Sequence, residues 1–330
     1  LDLMDKLANE LNIQFVVTTH SLTVLKELLG KHKQNPNDYG VVYLKNPSAP
    51  MVTVQQSYEI LKADLLGKVT YQKPKPKVYF EDEVGKHLFD MLVGALHHQC
   101  NTLKEEGNLR GNISQEYASK IKCRLENIKK YRHAAFLINP IVTSLGCEEL
   151  LRFSQADRPY SDQVIFLLDG DARHKQTEHK PKIREYLDRK YDPHKDNLSD
   201  RETNRNNICF FPDYFAPESF LYRIIYQIVD AESNHAVFWR TLDQQEETAL
   251  YTASKIRAWF VDLASDFNND DLKNVFGDIE KNGKVWAFID ATNLLNYYYG
   301  DYSTIEELIL FFEKFDRAFQ MTYSKMIKNI

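Results

Sequence analysis

Between Lys77 and Ile228, short apolar runs alternate with amphipathic stretches, and this alternation limits the possible folds more than any other feature of the chain. The runs "KVYFE", "AAFLINPI", "QVIFLLD" and "ICFFP" have the length and near-continuous apolar character of buried strands. Between and after them, "EVGKHLFDMLVGALHHQC", "GCEELLRF" and "ESFLYRIIYQIV" carry helical spacing. Strands separated by helices pair in parallel, so an α/β sheet flanked by helices is expected. A polar helical insert (about Ser114–Tyr131) lengthens the first connection, and a long polar segment (Ala172–Asn207) precedes the fourth strand.

The flanks follow different patterns. Leu1–Leu11 is apolar at helical spacing, "QFVVTTHS" (Gln14–Ser21) reads as a short buried strand, and "TVLKELLG" reads as a helix closed by Gly30. "GVVYLK" and "MVTVQQ" read as a strand pair. "QKPKPK" (Gln72–Lys77) has two prolines, three lysines and no apolar residue, which marks a linker. From His235 onward only helical segments are expected: "AVFWRTL", "ETALYTASKIRAWFVDLAS", "KVWAFIDATNLLNYY" and "IEELILFFEKFDRAFQMTYSKMI". Three regions result, 1–72, 73–232 and 233–330. The chain opens inside a helical pattern, so the visible part of a longer protein is expected.

Composition narrows the function classes. No apolar run approaches the roughly 18 residues that span a bilayer, so no membrane partner is expected. The four cysteines are scattered without CxxC spacing, which argues against a disulfide framework or a zinc site and for a reducing cytoplasm. The net charge of −5 leaves nucleic-acid binding to local patches. Three basic runs qualify: "KPKPK", "KIKCRLENIKKYRH" and "RHKQTEHKPKIR". Each is also readable as a solvated face, the middle run as an ordinary exposed helix side. His174, His179 and His194 have no helix-face spacing for a metal and read as loop residues.

Acids sit where a parallel sheet builds its ligand site, beyond the carboxyl ends of the strands. Glu81 follows "VYF"; Asp169 and Asp171 follow "VIFLL"; Glu218 opens the helix after the fourth strand. Residues two apart in an extended segment project to one side, so Asp169 and Asp171 can share an ion while Gly170 lets the backbone turn. Like charges this close call for a cation or a proton, and magnesium characteristically takes one or two carboxylates with waters and phosphate. A lone DGD is also an ordinary turn. The recurrence of acids after three strands is what favours a metal.

This order of acids resembles the Toprim domain shared by topoisomerases, DnaG-type primases and OLD-family nucleases. The residues that carry it are Glu81 in "VYFEDEVGKHLF", Gly146 in "VTSLGCEELLRF", and Asp169 and Asp171 in "IFLLDGDA", over about Lys77–Ile228. Asp82 stands where that family usually has glycine. Gly85 stands where OLD proteins often carry an acid, with Glu83 as a stand-in. Separately, "QFVVTTHSLTVL" is similar to the switch-histidine segment of ABC-type ATPases of the SMC/Rad50 kind, with His20 meeting the terminal phosphate. No GxxxxGK[ST] occurs in the 330 residues, so ATP is expected to act through the ABC-type domain and not to be bound by this chain alone.

An ABC-type tail followed by Toprim looks like the OLD family, which includes Gabija-type and retron-associated defence effectors. The resemblance implies a Mg²⁺- or Mn²⁺-dependent DNA endonuclease that hydrolyses phosphodiester bonds by a two-metal mechanism. Asp169 and Asp171 would hold one ion, Glu81 with Glu218 the other, and Glu83 would assist. A lysine of the helical tail completes the set; Lys284 in "NGKVWAFID" is the candidate, with Lys255 behind it. The partners implied are DNA, further copies of the chain in a homo-oligomer, and a defence-system partner such as a reverse transcriptase with its nucleic acid. The rival reading is a degenerate, non-catalytic Toprim module serving assembly or sensing for an ATPase. Strand passage and primer synthesis fit poorly, because no DNA-gate tyrosine context and no zinc-binding region are present.

Overall fold

The computed structural model describes residues 2–19, 21–35, 37–40, 75–105, 109–156, 161–173, 183–187, 206–263 and 266–328. The chain divides into two compact units between Pro74 and Lys75. In the first, α1 (Asp2–Leu11) and α2 (Leu22–Gln34) are the described elements. Ser21 caps α2, its Oγ accepting from the Val24 N–H at 3.4 Å. α2 runs through Gly30 and ends at Asn35 instead of stopping at the glycine. A helical glycine costs only about 1 kcal/mol relative to alanine, and the turn beyond it is held by Lys31 bonding Asp5 and His32 bonding the Tyr39 carbonyl.

Residues 14–19 do not form the expected buried strand. They have no ladder partner among the described residues, and Val16 is 88% exposed. A buried strand needs neighbours to pair its backbone and cover its side chains, and no strand stands beside it among the described residues of this unit. The expected strand pair at 41–56, and His20 itself, lie outside the described residues.

The second unit is built on four parallel strands: β1 (Lys77–Phe80), β2 (Asn139–Val142), β3 (Val164–Leu168) and β4 (Ile208–Phe210), in the order β2-β1-β3-β4. The chain is thus α/β, with a four-stranded parallel sheet flanked by helices. β2 starts later than its apolar run, because Ala134–Leu137 first form a helical turn closed by the Ile138 N–H on the Ala134 carbonyl. That turn continues the 3₁₀ segment Lys129–His133, whose Tyr131 is fully buried against Phe315 and Phe319.

Alternation along β3 divides the core. Ile165 and Leu167 join Val78 and Phe80 in the larger cluster, while Val164, Phe166 and Leu168 pack with Phe210 and with Leu150 and Leu151 of the helix that follows β2. Burial on both faces explains why the strand reads as an unbroken apolar run.

Besides the single turns at Ala134–Leu137 and Arg184–Leu187, the described helices are α3 (Glu83–Glu105), α4 (Gln115–Ile128), α5 (Cys147–Ala156), α6 (Pro217–Asp230), α7 (Ala236–Asp243), α8 (Ala253–Trp259), α9 (Asn269–Phe276), α10 (Lys284–Thr292), α11 (Leu294–Tyr298) and α12 (Ile305–Lys328). Two expected helices are broken up. "ETALYTASKIRAWFVDLAS" yields only α8, and "KVWAFIDATNLLNYY" splits at Asn293, which adopts φ +49°. The aromatic residues of α12 are core: Phe311, Phe312 and Phe315 are buried, and Phe89 of α3 lies 5.4 Å from the Phe315 ring.

α4 is clamped on α12. Arg124 makes paired bonds of 2.7 and 2.8 Å to Glu313 and a third of 2.8 Å to Glu306. Lys130 pairs with Asp316 at 2.7 Å. Two cations of the second basic run are therefore spent on this helix pair.

A buried charge network joins the sheet to the C-terminal helices. Arg223 of α6 is 3% exposed; its Nε stands 2.7 Å from Asp213 Oδ2, and its Nη2 donates to Glu307 Oε2 at 2.9 Å. The Tyr299 hydroxyl donates to Glu307 Oε1 at 2.7 Å. Burial works against the arginine's charge, but the surrounding Tyr298, Asp213 and Glu307 groups hold its pKa well above the ordinary value. Removing one partner leaves a charge stranded. Glu307→Ala and Arg223→Ala are each expected to cost about 3–5 kcal/mol of unfolding free energy, to be measured by urea denaturation of the full chain.

Candidate functional site

The parallel register places Phe80, Leu167 and Phe210 toward one end of the sheet, and the acids follow directly. Glu81 Oε1 accepts a 2.9 Å hydrogen bond from the Asp169 backbone N–H, so two residues 88 positions apart meet beyond adjacent strands. A second backbone donor, the Cys147 N–H at the start of α5, also reaches the Glu81 carboxylate. The β2–α5 loop sets it there. Both the Thr143 N–H and its hydroxyl bond the Phe80 carbonyl, at 3.2 and 3.0 Å, and Ser144 adopts φ +57°. Gly146, one of the residues carrying the Toprim resemblance, donates its N–H to Glu149 Oε2 at 3.2 Å in this loop.

Asp169 is half-buried; its Oδ1 is shut off from solvent and has no hydrogen-bond partner among the described residues. Burial, then the charges of Glu81, Asp82, Asp171 and Glu218, raise its pKa well above the ordinary carboxylate value. Burial is also the main cause at Glu81, where the carboxyl is pushed up to about 7 with help from Asp171 and Asp82. Asp171 sits in the single 3₁₀ turn Gly170–Arg173.

Close packing fixes that turn. A Cβ at Gly170 would lie 2.6 Å from the Phe215 carbonyl and 2.8 Å from the Asp213 carbonyl, so only glycine fits. Arg173 closes the turn from below, its guanidinium donating to the Asp213, Phe210 and Phe211 carbonyls at 2.9, 3.3 and 2.6 Å. The third basic run therefore loses its first residue to the core.

Glu218 occupies the first turn of α6 and is 4% exposed. Burial raises its pKa, opposed by its own backbone N–H, by the charge of Lys273 and by the Asn269 amide. Lys273 of α9 thus contributes a positive charge to this acid's surroundings. Lys284 Nζ instead stands 5.8 Å from the Trp259 ring centre, and the exposed Lys255 follows the Thr252 cap of α8. Lys273 lies in a helix that sequence reading missed, although "NNDDLKNVF" carries an Asn cap with acids in its first turn.

Glu83 is exposed at the start of α3. Its neighbour Asp82 takes the inward place. Asp82 Oδ1 accepts from the Gly85 N–H at 2.8 Å, capping α3, and its charge acts on Glu81, Asp169 and Glu218. The two departures from the Toprim pattern work together here. A Cβ at Gly85 would stand 3.4 Å from Asp169 Oδ1 and 3.6 Å from Asp82 Oδ1, so the glycine keeps space open beside both oxygens.

The arrangement suits a hard cation. An orphaned buried carboxylate oxygen, an open space beside it and several like charges are what such an ion neutralises. The acids are gathered but not closed into a cage: among the described residues, no three His, Cys, Asp or Glu side chains form a ready-made metal cluster. His174, His179 and His194 lie outside the described residues, as does most of the third basic run. No described helix is long and apolar enough to cross a membrane. Comparisons with family models, curated proteins and solved structures find no match for this chain.

A carboxyl that keeps its proton longer when folded stabilises the fold below its unfolded pKa and loses that contribution as pH rises through the folded value. For Glu81 the window runs from 4.5 to about 7. The metal-free chain is therefore expected to lose on the order of 3 kcal/mol across this range, and Asp169 adds a loss of the same sign. Chemical denaturation at pH 5, 6, 7 and 8 should show the decline, and Glu81→Gln should flatten it.

Proposed function

We propose that this chain carries the metal-dependent nuclease site of an OLD/Toprim-type enzyme that hydrolyses DNA phosphodiester bonds. The supporting observation is the cluster at the carboxyl end of the sheet, where Glu81, Asp82, Asp169, Asp171 and Glu218 act on one another and Asp169 Oδ1 is left unpartnered. Asp169 and Asp171 would hold one magnesium or manganese ion, and Glu81 with Glu218 a second. When bound, such ions polarise the phosphate and make water a competent nucleophile at neutral pH.

The chain's own groups do the rest. The Asp169 and Cys147 N–H groups hold Glu81 in place, and Gly170 and Arg173 hold the turn that carries Asp171. Lys273 supplies positive charge on the Glu218 side, where negative charge grows on a phosphate in the transition state. On the same reading, residues 1–72 end an ABC-type ATPase domain that uses His20, and the protein works on DNA as a homo-oligomer, with a defence role implied by the resemblance.

A second reading keeps one observation in its favour. Asp82 and Gly85 depart from the family pattern, as expected of a degenerate Toprim module that assembles or senses for an ATPase. Incubating the full chain and its ATPase with DNA and Mg²⁺ or Mn²⁺ separates the two. The nuclease reading predicts cutting by wild type, loss of at least a hundredfold in Asp169→Ala, and a smaller loss in Lys273→Ala. Absence of cutting by wild type favours the module. Asp169→Asn should also raise the melting temperature of the metal-free protein, because it removes a buried like charge while abolishing activity.

A further inference from the structure

Asn269 begins α9 beside two asparagine-and-aspartate neighbours that already do the local work of starting that helix. Asn268 is the cap: its Oδ1 accepts from the Asp270 and Asp271 N–H groups at 2.8 and 3.2 Å, and Asp271 Oδ2 accepts from the Asn268 N–H at 2.8 Å. Leu272 and Phe276, both fully buried, anchor the helix. The Asn269 side chain has no part in this and reaches across to α6. Its Nδ2 donates to Glu218 Oε2 at 3.2 Å, and its Oδ1 accepts from the Ser219 hydroxyl at 2.5 Å.

Those two partners define the amide's orientation. A carboxylate only accepts, so turning the amide over would set two oxygens against each other at Glu218. Ser219, itself 1% exposed, then locks the carbonyl end. One carboxylate oxygen of Glu218 is thereby tied down, and Lys273 follows Asn269 by four residues, the spacing that puts both on one face of α9.

We propose that Asn269, locked by Ser219, is a positioning residue that orients Glu218 for cation binding. The inference rests on the proposed metal site but goes beyond it, since it concerns an uncharged residue that touches neither ion nor substrate. Residues that orient a metal ligand typically carry a tenfold to hundredfold share of metal affinity.

The test is Mn²⁺ binding to the full chain, followed by the loss of the free-ion electron paramagnetic resonance signal, with thermal melts recorded in parallel. Asn269→Leu, of similar size but without hydrogen bonds, is expected to weaken Mn²⁺ binding about tenfold or more. In a Glu218→Gln background the same substitution should change affinity little, because the group it acts through is already altered. Asn269→Ala provides the same comparison if leucine disturbs the fold. Equal weakening in both backgrounds, or none in either, overturns the positioning role while leaving the metal site standing. A wild-type chain that binds no Mn²⁺ overturns the metal site and this role with it.

Discussion

A carboxylate shut away from water among others of its own sign is one of the costliest arrangements a fold can contain. The Oδ1 oxygen of Asp169 is in that position, and the end of the sheet is built around it. β3 is buried along its whole length, so the residue after it enters the acid cluster half-buried, with Oδ1 turned away from solvent. The parallel register sets Glu81 against its backbone, and Asp82, turned inward as the α3 cap, adds another negative charge. Natural folds seldom keep such a group unless a proton or a cation completes it. The surrounding protein raises the proton's hold, and Gly85 preserves the space a cation would use.

The C-terminal helices act as more than a cover. Asp213 is the hinge of this relation. It adopts φ +68°, its carbonyl packs on Gly170 and accepts from Arg173, and its carboxylate lies against Arg223. Arg223 in turn bonds Glu307 of α12, so the turn carrying Asp171 is connected through buried charges to the last helix of the chain. On the other side, α9 brings Asn269 and Lys273 to bear on Glu218. The sheet supplies the acids, and the helical region holds them in place.

Much of this was legible from the residues. Parallel strands follow from buried runs alternating with helices, and the same pattern places Glu81 and Asp169 directly beyond strand ends and Glu218 in the helix after the last strand. What escaped is equally instructive. Asp82 reads as a departure and Glu83 as the stand-in for the acid absent at Gly85, because spacing alone does not tell which of two adjacent acids will cap a helix and face inward. Lys273 does not stand out in the sequence, because α9 is only eight residues long and its approach to α6 depends on tertiary packing. Arg124, Lys130 and Arg173 looked like phosphate contacts, yet their carboxylate and carbonyl partners lie between 37 and 189 residues away. The stretch at 14–19 reads as a buried strand because its composition is apolar, but composition does not supply the neighbours that burial needs.

Diffraction from manganese-soaked crystals of the full chain, collected at the metal's absorption edge, tests the central claim most directly. The metal site requires an anomalous peak within about 2.5 Å of Asp169 Oδ1, with Glu81, Asp171 or Glu218 in reach of the same ion or its neighbour. A crystal that takes up manganese elsewhere, with Asp169 Oδ1 bonded only to a protein donor, would contradict it.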